Sequence, residues 1–413
     1  MHETNLLYLQ IQPDFKDCIE DVAAGKLSKE HFYINVQSDP YTLQDEQNIQ
    51  IFKNKADELT FSKNFQKLSE NHYSFALANN PSVNNDEWRV QFITSKKSNK
   101  DTQGLEKDYT SLAISHERNS FVVLGDSLGN ISVLNNGISE KIKTFDGAHE
   151  EEITCLKVFP SNKVLLSGSM DMKIKIWSLD DGGNPRTFTG HRQTITELSL
   201  IERGRNFISC SKDGTIKLWE CGSGKCLHTF SRKENKYDGI QCMALLSGQN
   251  EETTQTANEL EFGTEGKKVV AGHCSGVITC HDLYTKRQIF QIPSLFTSPC
   301  TAITNFSQNF IVSGYENGTI ALWNLNSLER PVKVFSFQKG TPINKLVTYN
   351  SKTVFVSSGI DANIVFDITG KDGDYHVEYL VCEDKTIKSF EINQISGDLY
   401  VAGSQGLCSV YSI

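Results

Sequence analysis

The sequence lacks the features of a membrane or secreted protein. No apolar run approaches the ~18 residues of a membrane-spanning helix. Residues 1–9 have neither a basic flank nor a long apolar core, so no secretion signal is expected. We expect a soluble chain, located in the cytoplasm or the nucleus, that does not bind membranes.

Basic residues are too few for a nucleic-acid-binding protein. The 41 Lys and Arg residues are outnumbered by 50 Asp and Glu residues, which gives a net charge of −9 and an isoelectric point of 5.6. Binding a phosphate backbone would require a basic stripe, and none is present. We expect no nucleic-acid partner, and a basic protein surface is the better electrostatic match.

The cysteines show no metal-binding pattern. Eleven are present, and the pair Cys221 and Cys226 has no second pair with which to form a zinc site. We expect them to behave as small apolar groups in a reducing compartment. The sequence therefore predicts no metal and no cofactor.

A hairpin pattern recurs seven times along the chain. A turn, usually containing Gly, Asp or Asn, precedes the residue that opens the next strand, at Ile131, Ile174, Ile216, Ile278, Ile320, Ile364 and Cys408. Successive positions differ by 43, 42, 62, 42, 44 and 44 residues, so one period holds with a single long step. Strand repeats of this length are typical of WD-repeat propellers. The fold is predicted to be mainly β, a seven-bladed WD-repeat β-propeller.

Two segments fall outside the repeat. Residues 247–266 contain almost no apolar residue, and we expect a surface loop inserted into the fourth blade. Residues 1–86 combine strand-like pieces with an amphipathic helix near 14–24, which predicts a small α+β N-terminal domain before a propeller at 87–413. Since the chain ends on the third strand of the seventh blade, an N-terminal strand must supply the fourth. Residues 87–95, with Trp88–Thr94, are the predicted closing strand.

Two repeats carry a polar tetrad in the same register. The separations of 18, 4 and 6 residues are identical in His149, Ser167, Asp171 and Trp177 and in His191, Ser209, Asp213 and Trp219. A His held between a buried carboxylate and a Ser, with the Ser also reaching the indole N–H, would satisfy the polar groups of a blade. Two copies at one repeat period favour an architectural role over a catalytic triad.

In a propeller, the loops before the inner strands and the turns between the second and third strands share one rim, here called the top rim. The candidate partner-binding residues on it are Glu150, Glu151, Glu152, Tyr237, Asp238, Tyr315, Glu316, Asp361, Glu383 and Asp384. For any single residue a solvated role is the simpler interpretation. As a set, acidic side chains with interspersed aromatics favour a protein-docking surface, with Tyr237 and Tyr315 as its desolvated anchors.

One segment resembles a catalytic motif in its letters. Residues 272–276, with Cys274 at the centre, fit the Gly-x-nucleophile-x-Gly pattern. That motif requires a turn from a strand into a helix, whereas this segment aligns in the repeat with 314–318, a turn between two strands. We therefore expect no enzyme activity.

Several segments are more particular than the general repeat. They include Gly183–Phe188, Gly190–Arg192, Asp213–Gly222, Leu260–Thr264 and Gly340–Asn344. In these segments the chain resembles the proteasomal ATPase-associated WD-repeat family, and especially its fungal members. The match is dense from Ala148 to Asp361 and thin at both ends.

The resemblance implies a non-catalytic assembly chaperone of the 26S proteasome regulatory particle, and a monomer on its own. Such a protein would bind the C-terminal domain of a proteasomal AAA-ATPase subunit, chiefly the sixth, and other assembly intermediates of the base, and it would delay docking on the core particle. The resemblance also implies contacts on the acidic rim, where Glu383 and Asp384 fall in the matching stretch. The alternative is a substrate receptor or scaffold of another complex, such as a ubiquitin ligase.

Overall fold

A computed structural model describes residues 3–37, 45–63, 65–77, 88–98, 107–115, 121–135, 138, 140–247, 259–360, 362–370 and 375–412. Its N-terminal region contains β1 (Glu3–Leu6), β2 (Tyr8–Ile11), α1 (Phe15–Ala23), β3 (Lys29–Gln37), β4 (Asp45–Lys53), β5 (Leu59–Phe61), β6 (Phe65–Lys67), β7 (His72–Leu77), β8 (Trp88–Ile93) and β9 (Lys97–Ser98). Helix α1 forms because Phe15, Ile19 and Val22 recur at helical spacing and are buried together. No helix in the described ranges is long and apolar enough to cross a membrane.

Seven four-stranded blades follow. Blade 1 consists of β10 (Tyr109–Ile114), β11 (Val122–Asp126), β12 (Ile131–Leu134) and β13 (Lys141–Phe145). Blade 2 consists of β14 (Ile153–Val158), β15 (Val164–Ser169), β16 (Ile174–Ser178) and β17 (Arg186–Phe188). Blade 3 consists of β18 (Ile195–Ile201), β19 (Asn206–Ser211), β20 (Thr215–Glu220) and β21 (Cys226–Ser231). Blade 4 consists of β22 (Ile240–Ser247), β23 (Lys267–His273), β24 (Ile278–Asp282) and β25 (Gln288–Ile292). Blade 5 consists of β26 (Cys300–Ser307), β27 (Phe310–Tyr315), β28 (Thr319–Asn324) and β29 (Lys333–Phe337). Blade 6 is β30 (Ile343–Tyr349), β31 (Thr353–Ser358), β32 (Ala362–Asp367) and β33 (Val377–Leu380). Blade 7 is β34 (Ile387–Ile392), β35 (Leu399–Gly403) and β36 (Cys408–Tyr411), completed by β9, with a 3-10 turn at Ser404–Gly406.

The blades form a closed ring. Within each blade the strands are antiparallel, and in blades 1 to 6 they follow chain order from the axis outward, whereas blade 7 has the N-terminal β9 as its outermost strand. The inner strands of successive blades are neighbours, and the ring closes where β34 meets β10. The predicted mainly-β, seven-bladed propeller is confirmed.

The inner strands are linked by side-chain hydrogen bonds. Each has an irregularity in register after its first residue, as between Ile153 and Cys155. A residue at such a bulge leaves the strand alternation, so its side chain can reach the neighbouring blade. The Thr hydroxyls at four bulges donate to the first carbonyl of the next inner strand: Thr110 to Ile153 (2.6 Å), Thr154 to Ile195 (2.6 Å), Thr196 to Ile240 (3.0 Å) and Thr301 to Ile343 (2.7 Å).

The strand that completes blade 7 is β9, and the prediction of Trp88–Thr94 for this role was wrong. Strand β9 pairs antiparallel with Ser409 and Val410 of β36. Strand β8 instead lies between β7 and β33, running parallel to β33. Val90 and Phe92 of β8 are fully buried, which suits an internal position in a sheet, whereas both residues of β9 are exposed, as suits an edge.

The N-terminal region contains the predicted helix and strands, and it is built into blades 5 and 6. Strands β8, β7 and β6 extend blade 6 to a seven-stranded sheet, β1 runs parallel to β29 at the edge of blade 5, and β2 to β5 form a separate sheet. One apolar cluster joins Phe15 of α1 and Phe32 of β3 to Phe335 of blade 5 and Phe366 of blade 6. The predicted boundary at residue 86 falls in 78–87, outside the described residues.

The insertion in blade 4 is anchored at its C-terminal end. Asn206 of blade 3 donates its side-chain amide to the Leu260 carbonyl (3.1 Å), and its side-chain oxygen accepts from the Phe262 N–H (2.6 Å). Residues 260–262, in the C-terminal part of the loop expected for 247–266, are therefore held against blade 3. Residues 248–258 of that loop lie outside the described part of the chain.

Candidate protein-docking site

The first tetrad forms a hydrogen-bond chain inside blade 2. His149 Nδ1 lies 2.9 Å from Asp171 Oδ2, His149 Nε2 lies 2.7 Å from Ser167 Oγ, and Trp177 Nε1 donates to Ser167 Oγ at 2.9 Å. All four residues are buried. Burial raises the pKa of Asp171, but the hydrogen bond and charge of His149, with two backbone amides, bring it to about 2. These hydrogen bonds hold the loop before β14 against the turn after β15. Because all four side chains are buried, a substrate cannot reach them.

The second tetrad repeats this geometry in blade 3 with one addition. His191 Nδ1 lies 2.9 Å from Asp213 Oδ2, His191 Nε2 lies 2.8 Å from Ser209 Oγ, and Trp219 Nε1 donates to Ser209 Oγ at 2.8 Å. Thr215 Oγ1 is 3.2 Å from His191 Nδ1 and donates to Asp213 Oδ1 at 2.6 Å. Burial raises the pKa of Asp213, but these partners hold it well below its usual value. His191 thus has a second polar neighbour that His149 lacks.

Tyr315 is not on the rim surface, so the prediction that it is a desolvated anchor for a docked partner is wrong. Only 1% of the residue is exposed, and its ring packs on Phe296 with centroids 4.7 Å apart. Ser313 Oγ donates to Tyr315 Oη at 3.3 Å and accepts from Trp323 Nε1 at 2.8 Å. Tyr315 therefore takes the place of the tetrad His in the core of blade 5.

Asp238 is also buried, contrary to its predicted role in partner binding. Its carboxylate accepts from Arg232 at 2.6 Å and from the Ser275 hydroxyl at 2.5 Å, and its carbonyl lies 3.0 Å from His273 Nδ1. Burial lowers the pKa of His273, which favours the neutral imidazole. Asp238 therefore holds the loop before β22 against the turn between β23 and β24 at the top of blade 4. The tetrad spacing did not reveal this role, because this carboxylate comes from the loop before the blade.

Most of the other rim candidates are available to a partner. Chain order in the blades places the loops before inner strands, and the turns between second and third strands, at one end of the ring. The exposed candidates there are Glu150, Glu151, Tyr237, Glu316, Glu383 and Asp384. Glu152 is half-buried, and Asp361 lies outside the described residues. Tyr237 is the most exposed large hydrophobic residue described, at 75%.

The pair Glu383 and Asp384 adopts an unusual backbone. Both residues have positive φ, 54° and 59°, a region that disfavours side chains with a Cβ. Gln10 of β2 donates to Asp384 Oδ1 at 3.0 Å, so the N-terminal region borders this part of the rim. The two carboxylates are held outward at a cost of local strain, and strain of this kind is concentrated at functional sites.

A charged pair spans the channel along the ring axis, a feature that the sequence analysis missed. Lys345 Nζ of blade 6 lies 2.7 Å from Glu197 Oε2 of blade 3, on the far side of the ring. Burial opposes both charges, but each charge stabilises the other, so the pKa of Glu197 is lowered and that of Lys345 is raised. The pair lines a cavity of about 330 Å³. It joins opposite blades through their side chains.

The catalytic-looking segment has the wrong surroundings for a nucleophile. It forms the turn between β23 and β24, two strands of one blade. Burial and the nearby Asp238 carboxylate raise the pKa of the Cys274 thiol, which disfavours the reactive thiolate. Within the described ranges, no group of three or more His, Cys, Asp or Glu side chains is arranged to hold a metal ion.

Comparison with known proteins decides the family. The model of the WD domain, G-beta repeat, matches residues 139–178 and 182–220, which run from β13 to β16 and from β17 to β20. The 26S proteasome regulatory subunit RPN14 of Saccharomyces cerevisiae is 37% identical over 98% of this chain and 97% of its own. The chain belongs to the proteasomal ATPase-associated WD-repeat family. A probable proteasomal ATPase-associated factor 1 of Dictyostelium discoideum is 28% identical over 93% of this chain and 96% of its own.

Solved structures show the same fold with other sequences. The WD40 repeats of RRP9 superimpose with a TM-score of 0.62 at 16% identity, covering 77% of this chain and 99% of that one. U3-55K gives a TM-score of 0.61 at 16% identity, over 76% and 97%. At this identity the likeness concerns the propeller alone. For this proteasomal ATPase-associated WD-repeat protein, the exposed acidic residues of the top rim are the candidate docking surface.

Proposed function

We propose that this protein is a non-catalytic assembly chaperone of the proteasome regulatory particle, acting in the cytoplasm and nucleus. It binds the C-terminal domain of a proteasomal AAA-ATPase subunit, chiefly the sixth, and through it other assembly intermediates of the base. Two relatives that align along nearly their whole length carry names referring to the 26S proteasome or its ATPases, which supports this choice of partner.

The proposal rests on the acidic side chains that are exposed on one rim of the propeller. Glu150 and Glu151 of blade 2, Glu316 of blade 5, and the pair Glu383 and Asp384 before blade 7 are all exposed at the same end of the ring. Of these, only Glu150 has a Lys within salt-bridge distance among the described contacts, and the side chain of Glu150 remains 75% exposed. A set of like charges at one end of the propeller attracts a basic domain over roughly a Debye length, about 10 Å at 0.1 M salt.

Binding at this rim would act by obstruction. Docking on the propeller would cover one face of the ATPase domain and shield its C-terminal tail. Shielding delays attachment of the ATPase ring to the core particle. The protein performs no nucleotide chemistry in this scheme, and the buried tetrads serve only to keep the rim loops in place.

The test measures association and dissociation rates for purified C-terminal domains of each proteasomal ATPase subunit over a salt series. The variant Glu150→Lys/Glu383→Lys/Asp384→Lys should bind the preferred domain at least tenfold more weakly, mainly through slower association at low salt. The matched control is Glu140→Lys/Asp180→Lys/Glu329→Lys, which reverses three exposed acids on loops at the opposite end of the ring. It should bind like the wild type.

A second variant separates binding from folding. Glu383→Gly removes one rim charge and relieves a positive φ, so it should leave the melting temperature unchanged or raised while slowing association. Wild-type affinity in the triple variant, or an association rate independent of salt, would place the docking surface elsewhere. Recovery of cullin adaptors without any proteasomal ATPase in a low-salt pull-down from lysate would favour the ubiquitin-ligase scaffold instead.

A further inference from the structure

The top rim is interrupted by a cleft of opposite charge on blade 3. It lies between the loop before β18 and the loop before β22, and it measures about 500 Å³. Its lining includes the cationic side chains of Arg192, Lys217 and Lys236 and the exposed ring of Tyr237. A concentration of three cations is unexpected in a chain with a net charge of −9.

These cations are not neutralised by neighbouring acids. Among the described residues, no carboxylate lies within salt-bridge distance of Arg192, Lys217 or Lys236. Lys217 Nζ donates to the neutral Thr229 hydroxyl at 3.0 Å, and Lys236 Nζ lies 5.1 Å from the centre of the Tyr237 ring. The positive charge of the cleft is therefore available to a ligand.

The one acid in the lining is already engaged inside the blade. Asp213 Oδ2 accepts from the Arg192 backbone N–H at 2.9 Å and lies 2.9 Å from His191 Nδ1, while Oδ1 accepts from Thr215. Its side chain is only 8% exposed. It fixes the loop that carries Arg192 without presenting a free carboxylate to the cleft.

The tetrads allow a direct comparison of blade 3 with blade 2. The residue after the tetrad His is Arg192 in blade 3 and Glu150 in blade 2, and the next is Gln193 in place of Glu151. In blade 2 the Lys173 ammonium pairs with Glu150 at 2.7 Å. At the position after the tetrad His the rim is thus acidic on blade 2 and basic on blade 3, and the second Glu of blade 2 is replaced by a neutral Gln.

We propose that this cleft binds an acidic, extended peptide segment of a partner protein. The three cations suit carboxylates, the hydroxyls of Thr229 and Ser231 can bond a peptide backbone, and Tyr237 offers an uncovered aromatic face for an apolar side chain. Long nucleic acids fit less well because the acidic rim on either side would repel the rest of a polyanion. The proposal concerns the cleft alone and holds whichever protein docks on the acidic rim.

The test uses the full chain and a fluorescein-labelled peptide of about ten residues that contains several Glu residues and one Leu. Binding followed by fluorescence anisotropy at low salt should be saturable and should weaken as salt rises. Arg192→Glu/Lys236→Glu should weaken it at least tenfold. Tyr237→Ala should weaken it several-fold, and Tyr237→Phe should retain it.

The matched control is Arg203→Glu/Lys225→Glu, which reverses two exposed cations of the same blade at its opposite end. It should bind the acidic peptide like the wild type, and a peptide with Lys in place of Glu should not bind. Equal loss in both double variants would mean that net charge, not the cleft, attracts the peptide and would overturn the proposal. Binding of inorganic phosphate or single-stranded RNA in place of the peptide would overturn it as well.

Discussion

Removing the tetrad carboxylate should destabilise blade 2 more than blade 3. Asp171→Ala leaves the buried Nδ1 of His149 without its partner, because the residue equivalent to Thr215 is Lys173 in blade 2. An unsatisfied buried polar group costs about 1–3 kcal/mol, and the lost bond to the Lys173 amide adds to this, so we expect about 3 kcal/mol. In Asp213→Ala the Thr215 hydroxyl, 3.2 Å from His191 Nδ1, can accept instead, and we expect about 2 kcal/mol.

The measurement is urea unfolding followed by tryptophan fluorescence, with free energies compared at a common m-value. A double-mutant cycle adds Thr215→Val to the wild type and to Asp213→Ala. Thr215→Val should destabilise the protein by about 1 kcal/mol more in the Asp213→Ala variant, where the hydroxyl has become the only partner of His191 Nδ1. Asp171→Asn, which keeps an acceptor in place, is the control and should cost less than Asp171→Ala. Equal losses of unfolding free energy in the two Ala variants, or additive losses in the cycle, would show that the unpaired imidazole N–H does not determine the loss of stability.

Two further outcomes are expected. The pKa of Asp171 is about 2 in the folded protein and about 3.9 in the unfolded protein. The ionised carboxylate therefore contributes fully to the free energy of unfolding above pH ~4, and this contribution is lost as pH falls toward 2. The urea midpoint of the wild type should therefore fall more across this window than that of Asp171→Asn, and parallel curves would contradict the assignment. Deletion of residues 1–86 should uncover apolar surface on blades 5 and 6, including Phe335 and Phe366, and the product should aggregate. A soluble monomer in size-exclusion chromatography would contradict that expectation.

The repeats were predictable because their signals are local. Hairpin turns require particular residues, as at Gly214, where φ is 82° and a Cβ would lie 2.6 Å from the Lys236 carbonyl. The tetrads were predictable for the same reason, since fixed spacing on paired strands brings fixed atoms together. The third strands begin within two residues of the positions read from the sequence.

Features that depend on distant contacts could not be read in this way. The alternation of apolar and polar residues identified Trp88–Ile93 as a strand, but it could not show whether this strand pairs with the edge of blade 6 or with that of blade 7. Tyr315 ends β27 and Asp238 lies in the loop before β22, where alternation does not apply and the side-chain direction is set by the tertiary packing. The charge of the cleft was missed because its three cations are separated in sequence and meet only across two loops.

The parallel pairing of β1 with β29 fixes the order in which the chain can be completed during synthesis. Glu3 pairs with Val334, so β1 waits for a partner some 330 residues later. At about 5–20 residues per second the ribosome needs roughly 15 to 65 seconds to supply it. Strand β9 waits for almost as long, because its partners Ser409 and Val410 follow it by about 310 residues. A nascent chain therefore carries unpaired strand edges until β36 has been translated, and a stop before β36 would leave β9 without its partner in blade 7.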